Sequence, residues 1–133
     1  MRGKILIVDD DPDILEALTM VLEAKDYQVF TAHDGLEGLA TLKAENPDLL
    51  ILDLLMPKMD GYTVFKELHD PRWSKFKDTP VLILSSVREE ASRRRYELET
   101  GLELNVDDYV EKPVSPDVLV ARVEKLIKKK QRV

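Results

Sequence analysis

Asp53 is the one ionisable residue in Leu49-Leu50-Ile51-Leu52-Asp53-Leu54-Leu55-Met56-Pro57. Taking an unpaired carboxylate out of water costs several kcal/mol or more. An Asp kept in such a run is therefore paired, or stands at the end of a buried strand where chemistry takes place. The plain structural alternative is an Asp that caps a following turn. Three further apolar runs also end in polar groups: Asp9-Asp10 follow Ile5-Leu6-Ile7-Val8, Ser85-Ser86 follow Val81-Leu82-Ile83-Leu84, and Lys112 follows the short run around Asp108-Tyr109-Val110. If these ends converge, three carboxylates, hydroxyls and one ammonium share a site. Carboxylates within roughly 5 Å of each other repel by a few kcal/mol per pair at an effective dielectric near 20. A divalent cation with oxygen ligands removes the conflict, and Mg²⁺ suits a site with few carboxylates and several waters.

Other chemistries fit less well. Cysteine is absent, and neither His33 nor His69 is expected to lie at a strand end, so a zinc site is disfavoured. Asp9, Asp11 and Asp13 have the spacing of the first three ligands of a calcium loop. However, Ile14 stands where that loop requires Gly, and Pro12 starts a helix instead. No Gly-rich run leads to Lys-Ser or Lys-Thr, which disfavours a nucleotide-hydrolysing P-loop.

The elements that would position these residues alternate. Lys4 to Val8 reads as a strand buried on both faces. Asp11-Pro12 opens a helix, with Asp at N-cap and Pro at N1, and Ile14, Leu18 and Leu22 recur at helical spacing. Residues 27–32 alternate as a second strand. Asp34-Gly35 leads into a helix that Asn46-Pro47 stops. Leu49 to Leu52 is a third strand; Asp60-Gly61 begins a third helix, which Asp70-Pro71 ends. Pro80 enters a fourth strand at 81–84, residues 89–98 read as a polar, basic helix, Asp108-Tyr109-Val110 is a short fifth strand, and residues 116–129 form the last helix. Strand and helix thus alternate five times, and three strands are nearly all apolar. This predicts an α/β fold, a doubly wound parallel sheet with helices on both faces. Ligands in such sheets bind beyond the C-terminal ends of the strands, where the polar residues named above fall.

With 133 residues, 44% of them apolar and 35% charged, the chain is expected to be one soluble globular domain. The N-terminus is too short for a signal peptide or membrane span. A net charge of −6 argues against nucleic-acid binding. The basic run Lys128-Lys129-Lys130-Gln131-Arg132 reads as cations at a helix C-terminus or the start of a linker.

The four motifs Ile5-Leu6-Ile7-Val8-Asp9-Asp10-Asp11, Leu52-Asp53-Leu54-Leu55-Met56-Pro57 with Met59-Asp60-Gly61, Pro80-Val81-Leu82-Ile83-Leu84-Ser85-Ser86, and Asp107-Asp108-Tyr109-Val110-Glu111-Lys112-Pro113, in this order, resemble a response-regulator receiver domain of two-component signalling, of the chemotaxis-receiver type. The resemblance covers essentially the whole chain. It implies a flavodoxin-like five-stranded sheet of order 2-1-3-4-5 with five helices, spanning residues 1–127, with 128–133 a basic tail or linker start. It implies Asp53 as phosphoacceptor, Asp9, Asp10, Asp53 and the backbone carbonyl of Leu55 as Mg²⁺ ligands, and Lys112 and Ser85 as groups that hold the phosphoryl oxygens. Ser85 and Tyr109 would be the switch residues that alter the face made by the fourth helix, fifth strand and fifth helix. The implied partners are a sensor histidine kinase or phosphotransfer protein and a downstream effector, with homodimerisation on phosphorylation allowed. No membrane or nucleic-acid contact by this domain is implied, and the location is cytoplasmic. The protein would be a signalling phosphoacceptor with self-phosphorylation and self-dephosphorylation chemistry rather than an enzyme acting on other substrates. The resemblance also implies a cis Lys112-Pro113 bond. The segment between Ser85 and Lys112 is longer than in compact receivers, and Asn105-Val106 replace the usual Gly-Ala. A receiver-like interaction module that works without phosphorylation is the competing function. A haloacid-dehalogenase-type phosphatase fits poorly, because Asp53-Leu54-Leu55 lacks that family's second acid.

Overall fold

Five short runs rich in Ile, Leu and Val pair as parallel strands in the order β2-β1-β3-β4-β5. The computed structural model describes residues 2–54, 56, 59–85 and 107–131. Its strands are β1 (Lys4–Val8), β2 (Gln28–Ala32), β3 (Leu49–Asp53), β4 (Val81–Ser85) and β5 (Asp108–Glu111); its helices are α1 (Pro12–Glu23), α2 (Gly35–Glu45), α3 (Gly61–Leu68), a 3₁₀ helix (Pro71–Phe76) and a C-terminal helix (Pro116–Gln131). The expected helix at 89–98 and the departures around Asn105 lie outside the described residues.

The period-two alternation of the strands divides the core in two. Ile5, Ile7, Leu49, Ile51, Leu82 and Leu84 face α1 and the C-terminal helix, meeting Leu18, Leu22, Leu119 and Val123. Leu6, Val8, Leu50, Leu52 and Ile83 face α2 and α3, meeting Leu39, Leu42, Val64 and Phe65. Both faces of the central strands are covered, which is why these runs are apolar throughout rather than alternating with polar residues.

Helix starts follow cap chemistry. Asp11, Asp34 and Asp60 each accept an amide N–H from the first turn of α1, α2 and α3, and Asn46 closes α2 in the left-handed conformation that Asn tolerates. One expectation needs correction. Asp70-Pro71 does not simply end α3, which stops at Leu68; Asp70 caps the new 3₁₀ helix, with Pro71 at its first position. The pairing of Asp N-cap and Pro at N1 is a start signal, and here it acts as one. Phe76 from this insert is buried against the α3-side core, with Trp73 partly buried beside it. The C-terminal helix continues through Gln131, so the basic run is helical to that point.

Two aspartates fasten strand starts. Asp48, just before β3, accepts the Lys4 N–H at 2.8 Å and donates its own N–H to the Lys4 carbonyl at 2.7 Å. Asp107, just before β5, treats Val81 the same way, at 2.8 Å and 3.2 Å. Each carboxylate satisfies the first amide of the neighbouring strand, and so helps to set its register. Replacing either Asp by Ala would strand a partly buried N–H, at a cost of about 1–3 kcal/mol each, whereas Asn keeps an acceptor and should cost less. Urea denaturation of the four variants measures this; equal losses for Ala and Asn would contradict it.

Candidate functional site

The parallel arrangement brings the C-terminal ends of β1, β3, β4 and β5 to one edge. Val8 lies across from Leu52, Asp53 across from Leu84, and Ser85 across from Glu111. Asp9 and Asp53, the buried charged residues of the described chain, therefore come together with 0% and 1% of their surface exposed. Asp10 is exposed beside them. One carboxylate oxygen from each of Asp9, Asp10 and Asp53 lies within 4.8 Å of the others. The convergence expected for these three acids is therefore present.

Lys112, on the turn after β5, bridges the two buried acids. Its Nζ is 3.2 Å from Asp9 Oδ2 and 3.4 Å from Asp53 Oδ1. One ammonium thus faces two buried carboxylates, and Asp9 Oδ2 has that ion pair but no well-aligned hydrogen bond. Asp9 Oδ1 accepts the Asp11 N–H at 3.0 Å. Burial is the main force raising the Asp9 carboxyl from its ordinary 3.8 to about 6; the Asp53 charge adds to it, while the Asp11 amide and Lys112 oppose it. Three convergent carboxylates faced, among the described residues, by one ammonium form a donor set that suits a hard divalent cation.

The remaining expected residues are placed as follows. The Lys112-Pro113 bond is cis. Tyr109 is half-buried against the α3-side core. Its backbone is held by Asp108, which accepts the Tyr109 N–H at 2.8 Å, and by Arg122, which reaches both Asp108 at 2.6 Å and the Tyr109 carbonyl at 3.3 Å. Ser85 ends β4 at the same edge; its side chain, like Leu55, lies outside the described residues. The expectation that His33 lies away from a strand end is corrected: β2 pairs with β1 up to Ala32, so His33 directly follows a strand. It is exposed and pairs with Glu37 at 3.3 Å, outside the acidic cluster.

Gly61 is a site-shaping residue whose role the sequence left unassigned. Its N–H meets the Leu54 carbonyl at 2.9 Å, and a Cβ there would stand 2.4 Å from the Asp53 carbonyl oxygen. Only a residue without a side chain lets α3 begin this close to the end of β3. The Asp-Gly pair after the apolar run was the available signal, but it read only as a helix start.

Comparison with known proteins fits this geometry. The family described as "Response regulator receiver domain" matches residues 5–124. This chain belongs to that family. The receiver is 42% identical over 96% of its length to a probable transcriptional regulator, ycf27, of Cyanophora paradoxa, of which it covers 49%. It is 39% identical to the alkaline phosphatase synthesis transcriptional regulatory protein PhoP of Bacillus subtilis, covering 98% of this chain and 51% of that one. Among solved structures, a putative response regulator from Chloroflexus aurantiacus superposes with a TM-score of 0.77 at 35% identity, covering 95% of this chain and 98% of the other. The receiver spans about half the length of the curated relatives it matches. It is a receiver domain of the two-component response-regulator type. Among the described residues, no helix is long and apolar enough to cross a membrane.

The Asp9 shift has a testable sign. Its folded-state pKa lies above the unfolded value, so the folded chain binds more protons between about pH 3.8 and 6. Ionisation of Asp9 therefore lowers stability as pH rises through that window, and the full cost persists above it. In metal-free protein, Asp9→Asn should raise unfolding free energy at pH 8 by about 1–3 kcal/mol, with the gain fading towards pH 4. Chemical denaturation at both pH values measures this; a variant less stable than wild type at pH 8 would contradict it.

Proposed function

We propose that Asp53 accepts the phosphoryl group and that the acidic cluster holds Mg²⁺. The observation that carries this reading is the convergence of Asp9, Asp10 and Asp53 at the strand ends, where, among the described residues, one ammonium, Lys112, faces the two buried carboxylates. Asp9, Asp10, Asp53 and the backbone carbonyl of Leu55 would hold the cation. Bound there, Mg²⁺ would offset charge on the transferring phosphoryl group.

The chain's own groups supply the rest. An ionised Asp53 oxygen attacks the phosphorus of a phosphohistidine on a sensor kinase or phosphotransfer protein. An O–P bond forms, the N–P bond breaks, and the donor imidazole leaves with the bonding pair; this is carboxylate nucleophilic catalysis. Lys112 exchanges its pairing with Asp53 for a phosphoryl oxygen, which suits the reach of a flexible ammonium. Ser85 donates its hydroxyl to another phosphoryl oxygen. That contact draws in the loop after β4, and Tyr109 responds, altering the face that includes β5 and the C-terminal helix. The receiver thus acts as a two-state element biased by one covalent charge.

Residues 1–127 form the receiver unit, and 128–133 lead on from it. The matched relatives are named as transcriptional regulators about twice as long, so a transcription-controlling effector is the output we infer. A homodimer formed on phosphorylation and a cytoplasmic location complete the reading.

Incubation with a small-molecule phosphodonor and Mg²⁺, followed by intact-mass measurement, tests it. A phosphoryl adduct is expected on wild type, absent from Asp53→Asn and lost when a chelator replaces Mg²⁺. An equal adduct on Asp53→Asn would reject the acceptor assignment. No adduct on either would favour a phosphorylation-independent interaction module.

A further inference from the structure

The loop that follows Asp53 is held by a helix that carries none of the proposed site residues. Gly35, the first residue of α2, donates its N–H to the Met59 carbonyl at 3.1 Å. A Cβ on Gly35 would stand 2.4 Å from that carbonyl oxygen, 2.7 Å from Met59 Cγ and 2.7 Å from Val64 Cγ2. Two of these atoms belong to the loop and the third to α3, so a methyl group has no direction in which to yield without moving one of them. The same stretch of chain is fastened a second time at its α3 end, where Gly61 bonds the Leu54 carbonyl. α2 is itself fixed to β1: a Cβ at Gly38 would lie 2.9 Å from Val8 Cγ2, and Val8 immediately precedes Asp9. A short path therefore runs from the Asp9 strand through α2 to the loop after Asp53.

We infer that Gly35 is a positioning residue for the cation site. Its contact with Met59, two residues before the Gly61 that bonds Leu54, sets the distance between the Asp53 end of β3 and the β1 end that carries Asp9 and Asp10. The consequence is that cation affinity depends on a residue that touches no cation ligand. Partners that hydrogen-bond metal ligands directly change affinity by about 10–100-fold when altered, and Gly35 acts one step further out. The inference rests on the Mg²⁺ reading given above.

Mg²⁺ titration of the full chain by calorimetry tests it, with wild type, Gly35→Ala and Leu42→Ala compared. Leu42 is buried in the last part of α2, so its truncation costs stability without touching the Met59 contact. Gly35→Ala should weaken Mg²⁺ binding by up to about 10-fold, the low end of that range, while Leu42→Ala binds as wild type does. Equal binding by Gly35→Ala and wild type, or equal weakening in both variants, overturns the inference. Should Gly35→Ala not fold, the wild-type amide resonances decide. The Gly35 N–H should shift on Mg²⁺ addition, and an unmoved Gly35 overturns the proposal. Absence of Mg²⁺ binding by wild type is a different result, because it removes the cation reading and this inference with it.

Discussion

The sharing of one ammonium between two buried carboxylates is the constraint on which the rest of this structure depends. Lys112 faces both Asp9 and Asp53, and neither acid is accessible to water to any useful degree. Two such charges are tolerated only where opposite charge is held close by. Among the described residues one lysine faces this cluster, with Asp10 adding a third carboxylate at its rim. Such a donor set suits a hard divalent cation.

The fold supplies this arrangement by topology. Parallel strands all end at the same edge, so residues far apart in sequence become neighbours without any local motif joining them. The apolar core on both faces makes that edge rigid. At the opposite edge, Asp48 and Asp107 grip the first amides of β1 and β4 and so help to fix strand register. A one-residue slip there would move every inward side chain to the other face and displace the polar residues at the far end.

Much of this was legible in the sequence for a specific reason. Asp53 is conspicuous because its neighbours are apolar, and Asp9-Asp10 and Lys112 are conspicuous because each terminates a strand-like run. The caps Asp11, Asp34 and Asp60 follow from local chemistry alone. Features that depend on approach between distant segments were hidden. Gly35 and Gly61 read as turn residues, yet their importance lies in the carbonyls of Met59 and Asp53, which only the folded chain brings near. Asp48 and Asp107 stand just before strands, and nothing local tells which amide they will reach. Asp70-Pro71 was misread as a stop because a start signal following directly on a helix looks like an ending.

The central claim is that the acidic cluster holds a divalent cation. Thermal unfolding at neutral pH, with added MgCl₂ compared with KCl at matched ionic strength, tests this most directly. The account predicts that the midpoint climbs progressively with Mg²⁺, as expected for a ligand that binds only the folded state, and that KCl leaves it nearly unchanged. The same response to both salts would mean that the cluster is only screened and binds no cation, and would contradict the account.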